Sequence, residues 1–479
     1  MRRPVNFGLT LSFMRQECCK TMRRDLTRGS VLKNVILFSL PYLLSYFLQT
    51  LYGMADLFII GRFRGVDSTT AVSVGSQVMH MHTVMLVGLA MGATVSIGQA
   101  VGGGDRKRAG RCIGNTVTLF MGLSVVLTGV LLCLTRPIVA LMSTPAEAVE
   151  GTAAYLTICF LGIPFITAYN IISSIFRGLG DSKSPMYFIA VACAANIALD
   201  YLFMGALDLG PAGAALGTTL AQTVSVAVSL FVILRRDTGI RIHKSDLRPD
   251  RLVMGKLLGI GIPVTLQDGF IQVSFIIITV IANRRGLTDA AAVGIVEKII
   301  SFLFLIPSSM LSTVSALGAQ NIGAGKPRRA VAALGYAAAL AGAFGVAAAA
   351  AVQLTAEPLV ALFTDSARAD GAQVIEMGGQ YLRSYVWDVF FAGVHFSFSG
   401  YFCARGKSGL SFLHNCLSII LVRVPGAYLA STLFPDTLFP MGLASAGGSL
   451  LSDVVCLICF VWLMRRDKAQ RDGSGLGDA

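Results

Sequence analysis

What most constrains this chain is a succession of long apolar segments, running over residues 34–60, 70–100, 112–134, 150–176, 185–206, 212–234, 253–282, 288–318, 330–354, 374–402, 409–432 and 441–464. In hydrocarbon the backbone amides and carbonyls have no water to bond, so a segment of this kind must close its hydrogen bonds internally as a helix. About 20 apolar residues suffice for one crossing, and twelve crossings use up most of the 479 residues. No room is left for a large soluble domain. Composition points the same way: charged residues make up 14% of the chain, against about 25% in an average soluble protein. The expected fold is an all-α polytopic membrane protein with twelve transmembrane helices, numbered 1 to 12 in this reading.

The chain carries 39 Lys and Arg against 26 Asp and Glu, a net charge of +13. These charges sit in short clusters between apolar runs and form no basic patch interleaved with aromatics, which argues against a nucleic-acid partner. With the N-terminus in the cytoplasm, 30 of the 39 basic residues fall in the tails and even-numbered loops. Seven fall on the other side, Arg62, Arg64, Arg136, Arg284, Arg285, Arg368 and Arg383, while Lys298 and Arg423 lie within helices. The excess of basic residues in cytoplasmic loops therefore places both termini in the cytoplasm. Of the ten cysteines, Cys133, Cys159, Cys193 and Cys416 lie in apolar segments and read as small buried hydrophobes, so no disulfide framework is expected. Cys456-x-x-Cys459 has no second pair or histidine beside it. The first 30 residues lack a signal-peptide pattern, and Met22 is a second candidate start, which would put Cys18 and Cys19 outside the protein.

The second half of the chain echoes the first at an offset of roughly 221 to 229 residues. Thr94-Val95-Ser96 with Gly98 through Gly104 and Arg108-Ala109 recurs as Thr313-Val314-Ser315 with Ala319 through Gly325 and Arg329-Ala330. Tyr155-Leu156 recurs as Tyr381-Leu382, Phe176 through Gly180 as Phe402 through Gly406, and Pro211-Ala212-Gly213 as Pro440-Met441-Gly442. Six helices thus form each of two lobes. An even number of crossings per repeat relates the lobes by a pseudo-two-fold along the membrane normal, with a substrate path between them. The expected organisation is an N-terminal tail over 1–30, a first lobe over 31–234, a basic linker over 235–251, a second lobe over 252–464 and a C-terminal tail over 465–479.

Charge inside the apolar segments is confined to Asp56, Asp200, Asp268, Glu297, Lys298, Asp388, Arg423 and Asp453, and an ionisable residue there is a functional candidate. At 1.5 Å per residue, Asp56 and Asp200 both fall in the outer half of the membrane and can share a pocket. Asn196 stands one turn before Asp200, and Gln49 and Tyr52 stand two turns and one turn before Asp56. Two acids in a poorly solvated cavity can take up H⁺, or with amide and hydroxyl oxygens ligate Na⁺. The second lobe has no such cluster: Asp268, Lys298 and Asp388 lie near mid-depth on helices 7, 8 and 10, and Arg423 takes roughly the repeat position of Asn196. One lobe is expected to hold a cation and the other internal salt bridges. Pro41 and Pro263 are repeat-related prolines in helices 1 and 7, each a candidate bending point or a static kink. The histidines, His80, His82, His395 and His414 among them, show neither a zinc-protease spacing nor a paired-His metal box, so an enzyme is not expected.

Taken together in order, these residues resemble the multidrug and toxic compound extrusion (MATE) transporters from about Val31 to Met464. The resemblance rests on Leu40-Pro41 followed by Gln49, Tyr52 and Asp56, on Gly98-Gln99 through Gly104-Asp105, on Phe176-Arg177-Gly178-Leu179-Gly180-Asp181 and on Asn196-Ile197-x-x-Asp200; in the second half it rests on Gly261-Ile262-Pro263 and Gly318 through Lys326. It implies export of cationic or amphipathic organic compounds in exchange for H⁺ or Na⁺, with no cofactor. The cation site it implies is Asp56, Asn196 and Asp200, with Thr218 as a further oxygen. The family's helix 7 acid falls here at Ile271, which leaves Asp268 nearby. The resemblance further implies a monomer among membrane lipids in a bacterial cytoplasmic membrane. The nearest alternative is a flippase for a lipid-linked sugar, which needs basic side chains facing the cavity; only Lys298 and Arg423 are on offer for that.

Overall fold

The computed structural model describes residues 25–235, 243–364 and 370–474. Most of the N-terminal tail with Cys18, Cys19 and Met22, residues 236–242 of the expected linker, Arg368 and residues 475–479 lie outside the described residues. The described chain is helical, in twelve long segments with the short helices Thr135–Leu141 and Lys244–Leu247 between them: α1 Val31–Phe63, α2 Val66–Gly102, α3 Arg106–Cys133, α4 Ala146–Leu161 with Ile163–Gly178, α5 Lys183–Ala206, α6 Gly210–Arg235, α7 Arg251–Arg285, α8 Leu287–Gly323, α9 Pro327–Ala361, α10 Gly371–Tyr385 with Trp387–Ala404, α11 Gly409–Leu433 and α12 Phe439–Gln470. Ten of these are long and apolar enough to span a membrane, α8 with a one-residue interruption at Phe304, and α4 is an eleventh, bent by 50° at Gly162. Pro164 opens its second half, where a missing N–H ends one helix and is tolerated at the start of the next. The twelfth, α10, does not pass as an unbroken span; it is interrupted at Val386 and carries Arg383 and Asp388.

Several helices run past the apolar segments that predict them, α9 from 327 to 361 instead of 330 to 354. The extra turns are polar and are held by caps: the Ser30 hydroxyl accepts from the Lys33 amide, Asp105 from the Arg108 amide at 2.8 Å, and Asp250 from the Leu252 and Val253 amides. Each carboxylate cap satisfies amides that have no partner within the helix and complements the positive end of its dipole. These caps all lie at the end of the bundle rich in Lys and Arg, called here the basic end.

The repeat is visible in the backbone. Gly104 and Gly325 close the turns after α2 and α8 with φ of 74° and 69°, a left-handed conformation that a side chain resists. Away from the basic end the cores are separate for each lobe: one gathers Ile59, Val72, Tyr155 and Phe160 of the first half, another Ile278, Val296, Tyr381 and Val389 of the second. Toward the basic end they mix, with Phe38 and Tyr42 of α1 packed among Val314, Leu334 and Phe402, and Met91 and Val95 of α2 packed among Ile260 and Ala404. The two lobes therefore join at the basic end.

The joint is itself pseudo-symmetric. Gln99 of α2 donates to the Ala404 carbonyl at the end of α10, 2.8 Å, and Gln320 of α8 donates to the Gly178 carbonyl at the end of α4, 2.9 Å. Lys256 of α7 donates to the Gln99 side-chain oxygen at 2.7 Å. A Cβ on Gly102 would fall into the Gln320 carbonyl, and one on Gly323 into the Gln99 carbonyl. At the opposite end, four of the seven misplaced basic residues are paired with acids: Arg64 with Asp208, Arg136 with Glu150, Arg285 with Asp289 and Arg383 with Glu357. Arg285 also donates to the carbonyls of Ser431, Phe434, Pro435 and Thr437, tying down the loop before α12.

Candidate cation site and the central cavity

In the first lobe, α1, α5 and α6 bring four polar side chains together away from the basic end. Asp56 is 4% exposed, Asn196 2% and Asp200 0%. Thr218 donates its hydroxyl to Asp56 Oδ2 at 3.2 Å, and Asp200 and Asn196 lie against Asp56. Two local features make this approach possible. At Gly217 a Cβ would overlap Asp200 Oδ1, so the absence of a side chain lets α6 close on α5. Directly after Asp200 the helix widens into a π-helical stretch, Tyr201–Ala206, a distortion frequent at functional sites.

The hydrogen-bond inventory of this cluster is incomplete. Among the described residues, Asp56 Oδ1, both carboxylate oxygens of Asp200 and both polar atoms of the Asn196 amide are buried without a hydrogen-bond partner. Buried polar atoms are normally bonded, and two neighbouring carboxylates without a counter-charge repel one another. A proton between them, or a hard cation ligated by carboxylate, amide and hydroxyl oxygens, would relieve both deficits. The two other first-lobe candidates extend the cluster toward the basic end: Tyr52 stands between Asp56 and Gln222, and Gln49 lies against Tyr169.

The second lobe departs from its expectation in part. Asp388 of α10 and Arg423 of α11 form a buried ion pair, with the guanidinium 5.7 Å from the Phe275 ring. Arg423 closes another π-helical stretch, Ile419–Arg423. Among the described residues neither Asp268 nor Lys298 has an ion-pair partner. Lys298 is exposed on the bundle surface, whereas its neighbour Glu297 turns inward and accepts from Thr279 at 3.4 Å. A step of 100° around the helix separates the two fates. Asp268 is partly buried on α7 against Gly88 of α2. Pro41 and Pro263 both lie inside continuous helices. Of the cysteines read as buried, Cys159 and Cys193 are so, Cys416 is half-buried and Cys133 is exposed at the end of α3.

Sequence reasoning missed two features. His395 and His414 meet in the second lobe with ring centroids 5.4 Å apart, bonded to Ser449 and Ser399; each was visible, but 19 residues of separation conceal the pairing. Arg177 falls one residue beyond the apolar segment 150–176. The structure places it in the last turn of α4, lining a cavity between the lobes with Tyr42, Thr94, Asn170, Ser174 and Ser312.

The family model MatE matches the chain twice, over residues 41–202 and 263–429, once in each lobe. The chain is 30% identical over 316 residues to the probable multidrug resistance protein YoeA of Bacillus subtilis, an alignment covering 64% of this chain and 68% of that protein. It is 24% identical over 428 residues to the probable multidrug resistance protein NorM of Thermotoga maritima, covering 88% and 89% respectively. A solved structure described as the outward-facing conformation of a multidrug resistance MATE family transporter of the MOP superfamily superposes with a TM-score of 0.85 at 23% identity, over 95% of this chain and 99% of the other. That last likeness is one of fold.

Proposed function

This chain belongs to the MatE family of multi-pass membrane transporters and is not an enzyme, and we propose that it is an antiporter that exports cationic or amphipathic organic compounds in exchange for H⁺ or Na⁺. The observation that carries the reading is the buried group of Asp56, Asp200, Asn196 and Thr218, with five polar atoms unpartnered. The membrane is the bacterial cytoplasmic membrane and the basic end faces the cytoplasm. The excess of Lys and Arg at that end, 30 of 39 against seven at the other, supports that orientation. With the lobes joined at the basic end, the conformation is then the outward-facing one.

In this state Asp56 and Asp200 receive the coupling ion from outside. Neutralising the pair removes the repulsion between the two carboxylates, lets α1 repack by bending near Pro41, and lowers affinity for the exported compound. Coupling is reciprocal, so a compound bound from the cytoplasmic side expels the ion. The test is dye efflux from proteoliposomes holding the full chain, with a pH gradient and a Na⁺ gradient imposed separately, for the parent, Asp56→Asn and Asp200→Asn. Efflux driven by one gradient and lost in both variants is expected. Full gradient-driven efflux in both variants refutes the site, and no gradient-driven efflux of any cationic dye by the parent favours the flippase alternative.

A further inference from the structure

Arg177 is a cation inside the bundle without a carboxylate. The groups about its guanidinium are Tyr42, Tyr46 and Tyr169, with the Tyr42 ring centroid 4.8 Å from the charged carbon. No ion pair to Arg177 exists among the described residues. An arginine within a membrane bundle is costly unless something compensates its charge, and aromatic faces compensate only in part. The chain also gives up the usual escape. α4 ends at the basic end, and side chains on a helix lean toward its N-terminus, so Arg177, which is partly buried, leans away from that end and into the bundle.

It leans into a small cavity whose lining holds hydroxyl and amide groups from α1, α2, α4 and α8 and no acid. Beside it lies Tyr169, a residue 3% exposed. The fork of guanidinium N–H donors thus faces one small space whose lining offers no acidic acceptor. The next residue, Gly178, accepts the interlobe bond from Gln320, so this space sits on the seam where the lobes meet. A guanidinium fork matches the two oxygens of a carboxylate or phosphate.

We propose that Arg177 is an anion-recognition site on the floor of the interlobe cleft, and that the exported amphiphile carries a carboxylate or phosphate that docks there; this rests on the export reading above. A positive charge elsewhere on the same molecule is compatible with it, so the preferred substrate class is a zwitterionic amphiphile over a purely cationic one. The missing charge partner of Arg177 is supplied by the cargo, which makes the pairing transient and therefore usable in transport.

A matched pair of dyes tests this: rhodamine 110, a zwitterion with a free carboxylate, and rhodamine 123, its methyl ester and a simple cation. Binding of each to the purified full chain is read by fluorescence anisotropy. The parent is expected to bind the carboxylate form about tenfold or more tighter than the ester. Arg177→Gln should abolish that ratio, and Arg177→Lys should keep part of it. Because the readout is a ratio on one preparation, partial loss of folded protein lowers both signals and leaves it unchanged. An equal ratio in parent and Arg177→Gln overturns the proposal. So does displacement of rhodamine 110 by phosphatidylglycerol nanodiscs but not by phosphatidylcholine ones, which would assign the site to a lipid headgroup. The dye ratio is independent of gradient coupling, so a failure of the antiport reading shows in the Asp56→Asn and Asp200→Asn efflux assay instead.

Discussion

The crossing of α2 and α8 at the basic end offers a direct test of alternating access. Gly102 and Gly323 face the carbonyls of Gln320 and Gln99, and a Cβ at either position would overlap the oxygen opposite. The obstacle is backbone, which cannot rotate away like a side chain, so Gly102→Ala and Gly323→Ala force the two helices apart. Overpacking of this kind costs about 1–3 kcal/mol, and it is paid only while the lobes are closed at this end. The gain in helix propensity from Ala over Gly, about 1 kcal/mol, is the same in both states and cancels. Either substitution should therefore raise the ratio of open to closed basic end by about 5- to 150-fold, and the double variant by more. Spin labels at Lys107→Cys and Arg328→Cys, exposed and repeat-related positions just beyond the crossing, in a cysteine-free background, report the separation by pulsed electron resonance. The parent should give one short distance, and the double variant a second, longer population. Gly122→Ala with Gly335→Ala is the control, since a Cβ at either meets nothing within 4 Å. A double variant with the same distance distribution as parent and control would refute the reasoning.

Gly217→Ala should impair ion-driven efflux while leaving the protein folded, because its Cβ meets Asp200 Oδ1 and not the lobe core; efflux together with thermal unfolding in detergent separates the two effects. Asp388→Asn or Arg423→Met alone should destabilise the second lobe by about 3–5 kcal/mol, since each leaves a buried charge unpaired. The double variant Asp388→Leu with Arg423→Met should recover most of that loss, and a double as unstable as the singles would show that the pair holds more than each other. Arg285→Ala should loosen the loop before α12, where four carbonyls lose their donor, and raise its proteolysis from outside without changing dye binding.

The sequence alone determined the number of helical segments, the two-lobed repeat and the distribution of basic residues between the two ends. These properties are one-dimensional: a helix in hydrocarbon satisfies its own backbone, so length and polarity along the chain suffice to find it. The pairing of Asp56 with Asp200 was legible for the same reason, because depth follows from residue count. Rotation about each helix and the choice of neighbour belong to the tertiary structure. Glu297 and Lys298 are adjacent in sequence, yet one faces Thr279 and the other leaves the bundle. Arg177 reads as a loop cation among others until the seam between the lobes encloses it with tyrosines. Thr218 meets Asp56 across 162 residues only because Gly217 lets α6 approach α5. A charged side chain in a membrane bundle is given its role by what packs against it, and packing between helices is decided in three dimensions.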